Sequence, residues 1–446
     1  MDPQEAIDSI KIRLERKKLN DFEIFFSQSV RLEVEAKDGN VDSLVKANTS
    51  GASIRVLKEG KFGFAYSTDL NDQSLENMVD EAVHCASEIS EDKLYGFPLR
   101  GQNDIPKLNI FDKNLSSLPE ENKIKRAKEL EEVTRGYDKR ITKIRNATYG
   151  ESSYQIYIFN TRGIDFQSRG TIVESSIMAI AEDGSDSQVG WDFDFNNFFD
   201  QLQFKEVGIR AAKKATERLG AKKIKTTKCP VVLDNVVSSE ILGVLAPSFL
   251  AENLSKGKTL LLDKLDKKIF SSCIGIIDDG LLTGGIMSSP FDGEGTARQK
   301  TQLVKEGIIR HFLYDYYYGI KNGNPSTGNS SRSGVGSPPN MGISNFFIEK
   351  GGVSLAELLS DIKKGFLITE FMGVHTANSI SGDFSLGAAG FWIENGKVTF
   401  PVKGAAVSGN IFNLLSNVEG VGNDLRFYGR IGAPSLRIKE MNISGE

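Results

Sequence analysis

The feature that most constrains the fold of this 446-residue chain is a run in which apolar and polar residues alternate between turn signals. The run extends from Asp21 to Asp69 and reads DFEIFFSQSVRLEVEAKDGNVDSLVKANTSGASIRVLKEGKFGFAYSTD. A period of two places alternate side chains on one face of a β-strand. The triplets DGN, SGA and EGK can each supply the positive φ of a tight turn. The run therefore predicts an antiparallel meander of three or four strands.

Segments with helical periodicity flank this meander and a second alternating region. We expect helices over residues 3–19 and 75–89, then a charged helix over 119–139 that is rich in strong helix formers. The strand pattern resumes from Ile141, with NTRG and EDG as turns, and a helix over 204–219 closes the region. We therefore predict a helix-meander-helix domain over residues 1–100, a linker FPLRGQNDIPK, and a middle α/β domain over 101–225.

The remaining residues, 226–446, are expected to form a β-rich third domain. A short buried strand at 230–233 precedes a helix over 238–254, which Gly243 and Pro247 weaken in the middle. From Phe270 onward the chain consists mainly of short strands and hairpins, including LVKEGIIRHFLYDYY at 303–317, with DDG, KEG, EKGG and ENG as turns and one helix over 355–364. The predicted class is α+β, with helix-flanked antiparallel meanders in the N-terminal half and a curled mixed or antiparallel sheet in the C-terminal half.

Composition narrows the range of partners and compartments. A net charge of -4 provides no general excess of cations for a phosphate backbone, so we expect no direct nucleic-acid binding. The cysteines, Cys85, Cys229 and Cys273, lack metal-binding spacing and are expected to be reduced thiols. The N-terminal residues do not form a secretion signal, and no apolar run is long enough to span a bilayer. These patterns predict a cytoplasmic protein without membrane contact.

Metal and nucleotide motifs are missing from the sequence. The only histidines are His84, His311 and His375, and none has a second histidine at helical spacing. The sequence contains neither a P-loop nor a nucleophile elbow. We therefore expect no metal ligands and no catalytic residues from these motifs in this chain.

Two polar segments are candidates for chemistry or binding. Asp292 and Glu294, in SSPFDGEG, would share one face if the segment were extended; they suit acid-base work or a hard cation, but also an ordinary turn. The loop at 322–342 carries Ser330 and Arg332 and is long for a compact domain. Its hydroxyls, amides and Arg332 could line a groove for a peptide backbone, or the loop could be purely a connection.

The segment SGDFSLGAAGFWIENGK, residues 381–397, divides into two parts. Asn395 and Gly396 suit a two-residue hairpin turn between GFWI and KVTFPV. The small residues at 382–390 would allow close approach of another backbone. Asp383 and Ser385 are then candidate polar contacts in a substrate groove or subunit interface; the alternative is a glycine-rich entry to a strand.

Several motifs of the C-terminal half occur together and in a fixed order. They are SSPFDGEGTARQKTQLVKEGIIRHFLYD, STGNSSR, ITEFMGVHTANSISGDFSLGAAGFWIENGKVTFPV, SGNIFNLLSNVEGVGNDL and IGAPSLRI. This succession resembles the PmbA/TldE branch of the TldD/PmbA family, once called modulators of DNA gyrase. The resemblance covers about residues 230–445 well, whereas the first half matches in layout.

The resemblance implies a cytosolic two-subunit peptidase in which TldD-type chains carry zinc and TldE-type chains are their partners. TldD-type chains bear a His-Glu-x-x-x-His helix and a cysteine ligand near the C-terminus. Here the matching segments read SSEILGVLAPSFL, with Glu240 but no histidine, and GNDLRFYGRIGAP, without cysteine. The implied role is a non-catalytic subunit that binds no metal, pairs with a zinc-bearing TldD-type chain as a dimer and helps to hold an unfolded peptide substrate.

Two alternatives remain open from the sequence. One is a stand-alone hydrolase that uses Asp292, Glu294 and Asp383 with a bound cation. The other is a peptide-binding homodimer without a peptidase partner.

Overall fold

The computed structural model describes residues 3–101 and 105–446. The expected linker at 97–107 therefore lies partly outside the described residues. The α-helices are α1 (Pro3–Arg16), α2 (Asp72–Glu88), α3 (Glu120–Tyr137), α4 (Phe204–Glu217), α5 (Asn235–Leu245), α6 (Ala251–Ser255), α7 (Tyr316–Asn322), α8 (Leu355–Leu359) and α9 (Ile411–Ser416).

The strands of the N-terminal half form one sheet, and those of the C-terminal half form the others. The N-terminal strands are β1 (Asp21–Lys37), β2 (Asn40–Lys58), β3 (Lys61–Ser67), β4 (Ile141–Asn160), β5 (Asp165–Asp183) and β6 (Asp186–Asn196). The C-terminal strands are β7 (Thr227–Leu233), β8 (Ile276–Asp279), β9 (Lys300–Lys305), β10 (Ile308–Ile309), β11 (Ser330–Ser331), β12 (Asn340–Met341), β13 (Phe346–Ile348), β14 (Lys364–Met372), β15 (Asp383–Glu394), β16 (Lys397–Asn410), β17 (Val418–Val421), β18 (Arg426–Tyr428), β19 (Ile431–Ala433) and β20 (Leu436–Ser444).

Both N-terminal meanders join edge to edge in a single antiparallel sheet of order β3-β2-β1-β4-β5-β6. Strands β1 and β4 pair along most of their length and form its centre. Helices α1 and α2 pack on one face of β1 to β3, and α3 and α4 pack on β4 to β6. Alternation along β1 directs Phe22, Ile24 and Phe26 into the core beneath the first helix pair.

The opposite face of β1 meets the C-terminal half of the chain. Phe25 packs in a cluster with Ile158, Ile164 and Phe291, and Phe291 comes from the C-terminal half. Glu23 shares this face of β1 and is 1% exposed. The period of two in DFEIFF thus places one charged and one aromatic side chain at the contact between the two halves.

The turns DGN and EGK are confirmed, whereas the turn expected at SGA is wrong. Asp38 and Gly39 have positive φ between β1 and β2, as do Glu59 and Gly60 between β2 and β3. Gly51 instead lies inside β2, where a Cβ atom would come within 2.8 Å of the Ser67 carbonyl oxygen. The glycine is needed for close approach of a neighbouring backbone, so the meander has three strands.

The C-terminal half contains two six-stranded sheets and a small two-stranded one. The first sheet has the order β10-β9-β8-β13-β19-β18, and the second β16-β15-β14-β7-β20-β17. An additional pairing of β16 with β20 curls the second sheet into a barrel-like form. One large apolar core fills the space between the two sheets and α5. This arrangement confirms the predicted α+β class and the curled mixed sheet.

Local signals in this half are confirmed in part. The expected helix at 238–254 is broken by a 3-10 turn at Ala246–Phe249, which contains Pro247. Asn395 and Gly396 have positive φ and join β15 to β16 in the predicted hairpin. Tyr316 and Tyr317, expected in a strand, instead begin α7, because the Asp315 side chain accepts a hydrogen bond from the Tyr318 amide and caps the helix.

Candidate functional site

A buried network of charges joins the N-terminal sheet to the C-terminal half. Glu23 on β1 lies directly opposite Arg55 on β2, and the Arg55 guanidinium donates two hydrogen bonds to the Glu23 carboxylate, of 2.9 and 2.7 Å. Arg55 also donates to a Glu294 oxygen at 3.2 Å. Arg332 donates a further hydrogen bond to Glu23. The four side chains form an alternating, charge-balanced chain, which is the arrangement that buried ions require.

The contacts of Arg332 show how this network is held in place. Its Nε donates to the Gly293 carbonyl oxygen at 2.7 Å, and its guanidinium lies 4.5 Å from the centre of the Phe25 ring. Burial alone would raise the pKa of Glu23, but the two arginines outweigh burial and hold that pKa below its usual value. Glu23 is therefore ionised at neutral pH.

Asp292 is held by backbone amides in a tight turn. One of its oxygens accepts from the Glu294 and Thr296 amides at 2.9 Å each, and the other accepts from the Ser330 amide at 3.0 Å. Burial raises the pKa of Asp292 to about 7, and repulsion from Glu294 adds to the shift. The segment is a turn rather than the extended strand considered from the sequence, and it nevertheless brings Asp292, Glu294, Ser330 and Arg332 together.

A cleft of about 430 Å³ opens beside this network, between the N-terminal sheet and the C-terminal half. Segment 338–341 of the long loop lines one side of it. Three carboxylates, Glu252, Glu294 and Asp315, line it as well. Burial raises the pKa of Asp315 to about 7, and repulsion from Glu294 adds to the effect. The aromatic residues that complete the walls are Phe62, Phe64, Tyr95, Tyr316, Tyr317 and Tyr318.

The other two candidates, Asp383 and Ser385, lie elsewhere. Both are exposed and occupy the start of β15. Asp383 accepts hydrogen bonds from the Ser381 hydroxyl at 2.7 Å and the Asn410 amide group at 2.8 Å, and these bonds lower its pKa. No described contact joins either residue to Asp292 or Glu294, so the structure does not assemble the three-carboxylate site of the stand-alone hydrolase alternative.

Helix α5 carries Glu240, which the resemblance matches to the glutamate of the His-Glu-x-x-x-His helix of TldD-type chains. Burial raises the pKa of Glu240 to about 7, and the charges of Asp234 and Glu370 raise it further. Its Oε2 atom has no hydrogen-bond partner in the described structure, and neither has the Thr369 hydroxyl. Asp234 caps α5 by accepting from the Val237 amide at 3.0 Å. The charged groups that act on Glu240 are therefore two other carboxylates, those of Asp234 and Glu370.

The side chains that could bind a metal ion are dispersed in the described part of the chain. Over residues 3–101 and 105–446, no group of three or more histidine, cysteine, aspartate or glutamate side chains is placed to hold one. A catalytic zinc site needs three protein ligands and an open position. The described residues therefore do not fit a zinc centre. The three cysteines are free thiols.

Sequence reasoning missed Glu23, Arg55 and Asp315. Glu23 interrupts the dense apolar run DFEIFF, and Arg55 interrupts ASIRVL. A charge within a run of predicted buried residues requires a partner, and that signal identifies both. Asp315 directly precedes three tyrosines, and aspartate is a preferred N-cap of helices. This N-cap signal was overlooked because the segment was predicted to be a strand.

The fold and this arrangement define a class of two-lobed α+β proteins, with an open antiparallel sheet joined to a double-sheet domain. Three domain models of the PmbA/TldA metallopeptidases match the chain: domain 1 at residues 22–86, the central domain at 113–219 and the C-terminal domain at 226–445. Metalloprotease PmbA of Escherichia coli O157:H7 is 30% identical over 99% of this chain and 96% of its own length.

Solved structures with the same fold cover nearly the whole chain. A candidate modulator of a DNA gyrase from Thermotoga maritima superposes with a TM-score of 0.90, at 27% identity, over 99% of this chain and 100% of that one. TldE from Thermococcus kodakarensis shares the fold, with a TM-score of 0.88 at 23% identity over 99% and 100% of the two chains. The chain belongs to the PmbA/TldE branch of the TldD/PmbA metallopeptidase family.

No helix among the described residues combines the length and the apolar content that crossing a bilayer requires.

Proposed function

We propose that this chain is a non-catalytic TldE-type subunit of a cytosolic heteromeric zinc metallopeptidase that acts on unfolded or peptide substrates. In this proposal the zinc belongs to a TldD-type partner, and this chain contributes groove and subunit contacts. The three free thiols suit a reducing compartment. The family membership supports the peptidase context.

The environment of Glu240 carries the proposal. A glutamate that acts as general base beside zinc is poised by the positive charge of the metal, which also lowers the pKa of the bound water. The charges that act on Glu240 here are those of Asp234 and Glu370, both negative. Burial and these charges raise the pKa of Glu240 to about 7. The chemistry that Glu240 lacks is a metal: among residues 3–101 and 105–446 no group of three metal-ligating side chains could hold a zinc ion whose bound water Glu240 would deprotonate.

An open strand edge supports the partner role. Strand β3 pairs with β2 only over residues 52–58, so residues 40–51 of β2 pair on one side, with β1. Val41, Leu44 and Val45 on this segment are exposed by 39%, 42% and 55%. Exposed apolar edges of this kind are sites of strand addition and subunit contact. We assign this edge to the TldD-type partner.

Reconstitution tests the proposal. This chain, a TldD-type chain and an unfolded peptide are mixed, and cleavage is assayed with each component omitted in turn. We expect no cleavage by this chain alone, and chelator-sensitive cleavage when the TldD-type chain is present. A Glu240→Gln substitution here should leave that cleavage unchanged, whereas the equivalent change in the TldD-type chain should abolish it. A double variant, Leu44→Lys with Val45→Lys, should weaken association of the two chains.

Other outcomes would support the alternatives. Chelator-sensitive cleavage by this chain alone, abolished by Glu240→Gln or Asp292→Asn, would establish a stand-alone hydrolase. Self-association that the edge variant disrupts, with no binding of a TldD-type chain, would establish the peptide-binding homodimer.

A further inference from the structure

In the cleft beside the buried network, the Asp315 carboxyl has no ion pair within residues 3–101 and 105–446. Asp315 is 8% exposed, and its hydrogen bond to the Tyr318 amide, at 2.7 Å, serves to cap α7. No ion pair to Asp315 occurs among the described residues, whereas Glu294 pairs with Arg55 and Glu252 pairs with Lys256. The charges with the largest effect on Asp315 are those of Glu294, Asp292 and Glu252, all carboxylates. Arg55 also lines the cleft, but it is paired with Glu23 and Glu294. The cleft is therefore electrostatically prepared for a positive ligand.

Aromatic rings on the same walls already receive cations from the chain itself. The Arg55 guanidinium lies 5.3 Å from the centre of the Phe62 ring. Lys321 Nζ lies 5.6 Å from the centre of the Tyr317 ring. The negative face of an aromatic ring attracts a cation within about 6 Å. Rings and carboxylates together match a cation that has an apolar stem.

We propose that this cleft binds one lysine or arginine side chain of an extended peptide, with Asp315 as its counter-ion and the rings of Tyr316 to Tyr318 along its aliphatic stem. The volume of about 430 Å³ accommodates such a side chain with adjoining backbone. Segment 338–341 lies on the wall of the same cleft. The inference rests on the proposed function as a peptide-holding subunit and specifies which peptides are held.

Calorimetric titration of the isolated full-length chain tests the proposal without a peptidase partner. The probes are capped pentapeptides, Ala-Ala-X-Ala-Ala, with lysine, norleucine or glutamate at X. We expect the lysine peptide to bind at least about tenfold more tightly than the norleucine peptide, and the glutamate peptide to bind most weakly. Equal affinity for lysine and norleucine peptides would overturn the proposal.

An Asp315→Asn variant removes the charge and retains a side chain that caps helices well. We expect it to lose the preference for lysine over norleucine, whereas Glu121→Gln, an equal charge change at an exposed position on α3, should keep it. The lysine preference of the wild-type chain should also fall between pH 8 and pH 6, because Asp315, with its pKa raised to about 7, becomes protonated. This pH profile tests the proposal even if the variant does not fold.

The two proposals can fail separately. If the wild-type chain shows no lysine preference while the reconstituted pair cleaves peptide, the cleft assignment alone is overturned. A lysine preference that depends on Asp315, without any TldD-type partner, would leave the cleft assignment intact and count against the subunit role. A preference unchanged by Asp315→Asn would overturn the assignment of the counter-ion.

Discussion

Two regions that carry the same kinds of residues differ in what surrounds them. At the contact between the halves of the molecule, the side chains of Glu23, Glu294 and Arg332 are buried. Arg55 forms ion pairs with both Glu23 and Glu294, and Arg332 pairs with Glu23. At the start of β15, Asp383 and Ser385 are exposed, and the Asp383 carboxylate accepts hydrogen bonds from Ser381 and from Asn410 on the neighbouring strand β16. The difference shows that burial, rather than residue type, decides how strongly the fold depends on a polar side chain.

Breaking the buried network should have the largest effect on the stability of the fold. A Glu23→Gln substitution leaves the guanidinium groups of Arg55 and Arg332 without their shared carboxylate in a buried setting. We expect the free energy of unfolding to fall by about 3–5 kcal/mol. Urea unfolding monitored by circular dichroism measures the change. A loss below about 1 kcal/mol would show that water replaces the carboxylate and that the contact is not dry.

A change at Asp292 should alter how stability depends on pH. Its folded pKa, about 7, exceeds the ordinary value of 3.8, so the folded state binds more protons than the unfolded state between pH 4 and pH 7. The contribution of Asp292 is therefore favourable at low pH and is lost as the pH rises through about 7. In Asp292→Asn this contribution is absent, and the fall in stability between pH 5 and pH 8 should be shallower.

The matching experiment compares urea midpoints of the wild-type chain and Asp292→Asn at several pH values. The difference in slope isolates the titration of Asp292 from the loss of its bond to the Ser330 amide, which is the same at every pH. Parallel slopes would contradict the raised pKa. Asp315 titrates in the same range and keeps part of the slope in the variant.

The smallest effect on stability is expected from substitutions at the exposed start of β15. Asp383→Asn keeps a side chain that can bond to Ser381 and Asn410, and the site is open to water. The urea midpoint should stay within experimental error of the wild-type value. Ser385→Ala serves as a neighbouring control. A large shift for either variant would show that the start of β15 belongs to a packed interface and would remove the contrast between the two regions.

Much of the fold could be predicted from local patterns. The alternation in β1 to β3, the turns at Asp38–Gly39 and Asn395–Gly396, and the break at Pro247 follow from steric rules that act within a few residues. The turn expected at SGA failed because the need for Gly51 comes from the Ser67 backbone, which no local pattern shows. The strand expected at Tyr316 failed because a cap at Asp315 outweighed the aromatic run.

For the candidate site, the sequence identified single polar residues but not the contacts between them. Asp292, Glu294, Ser330 and Arg332 were identified individually as polar residues in turns and loops, and the fold brings them together. Glu23 and Arg332 are 309 positions apart in sequence, and neither local sequence predicts contact with the other. The sequence by itself determined most of the secondary structure, the hairpin at Asn395–Gly396 and the family, because these depend on backbone sterics and ordered motifs. Only the tertiary structure decided which charges are buried together and that Asp315 lines a cleft without an ion pair among the described residues, because those features depend on the exclusion of water by distant parts of the chain.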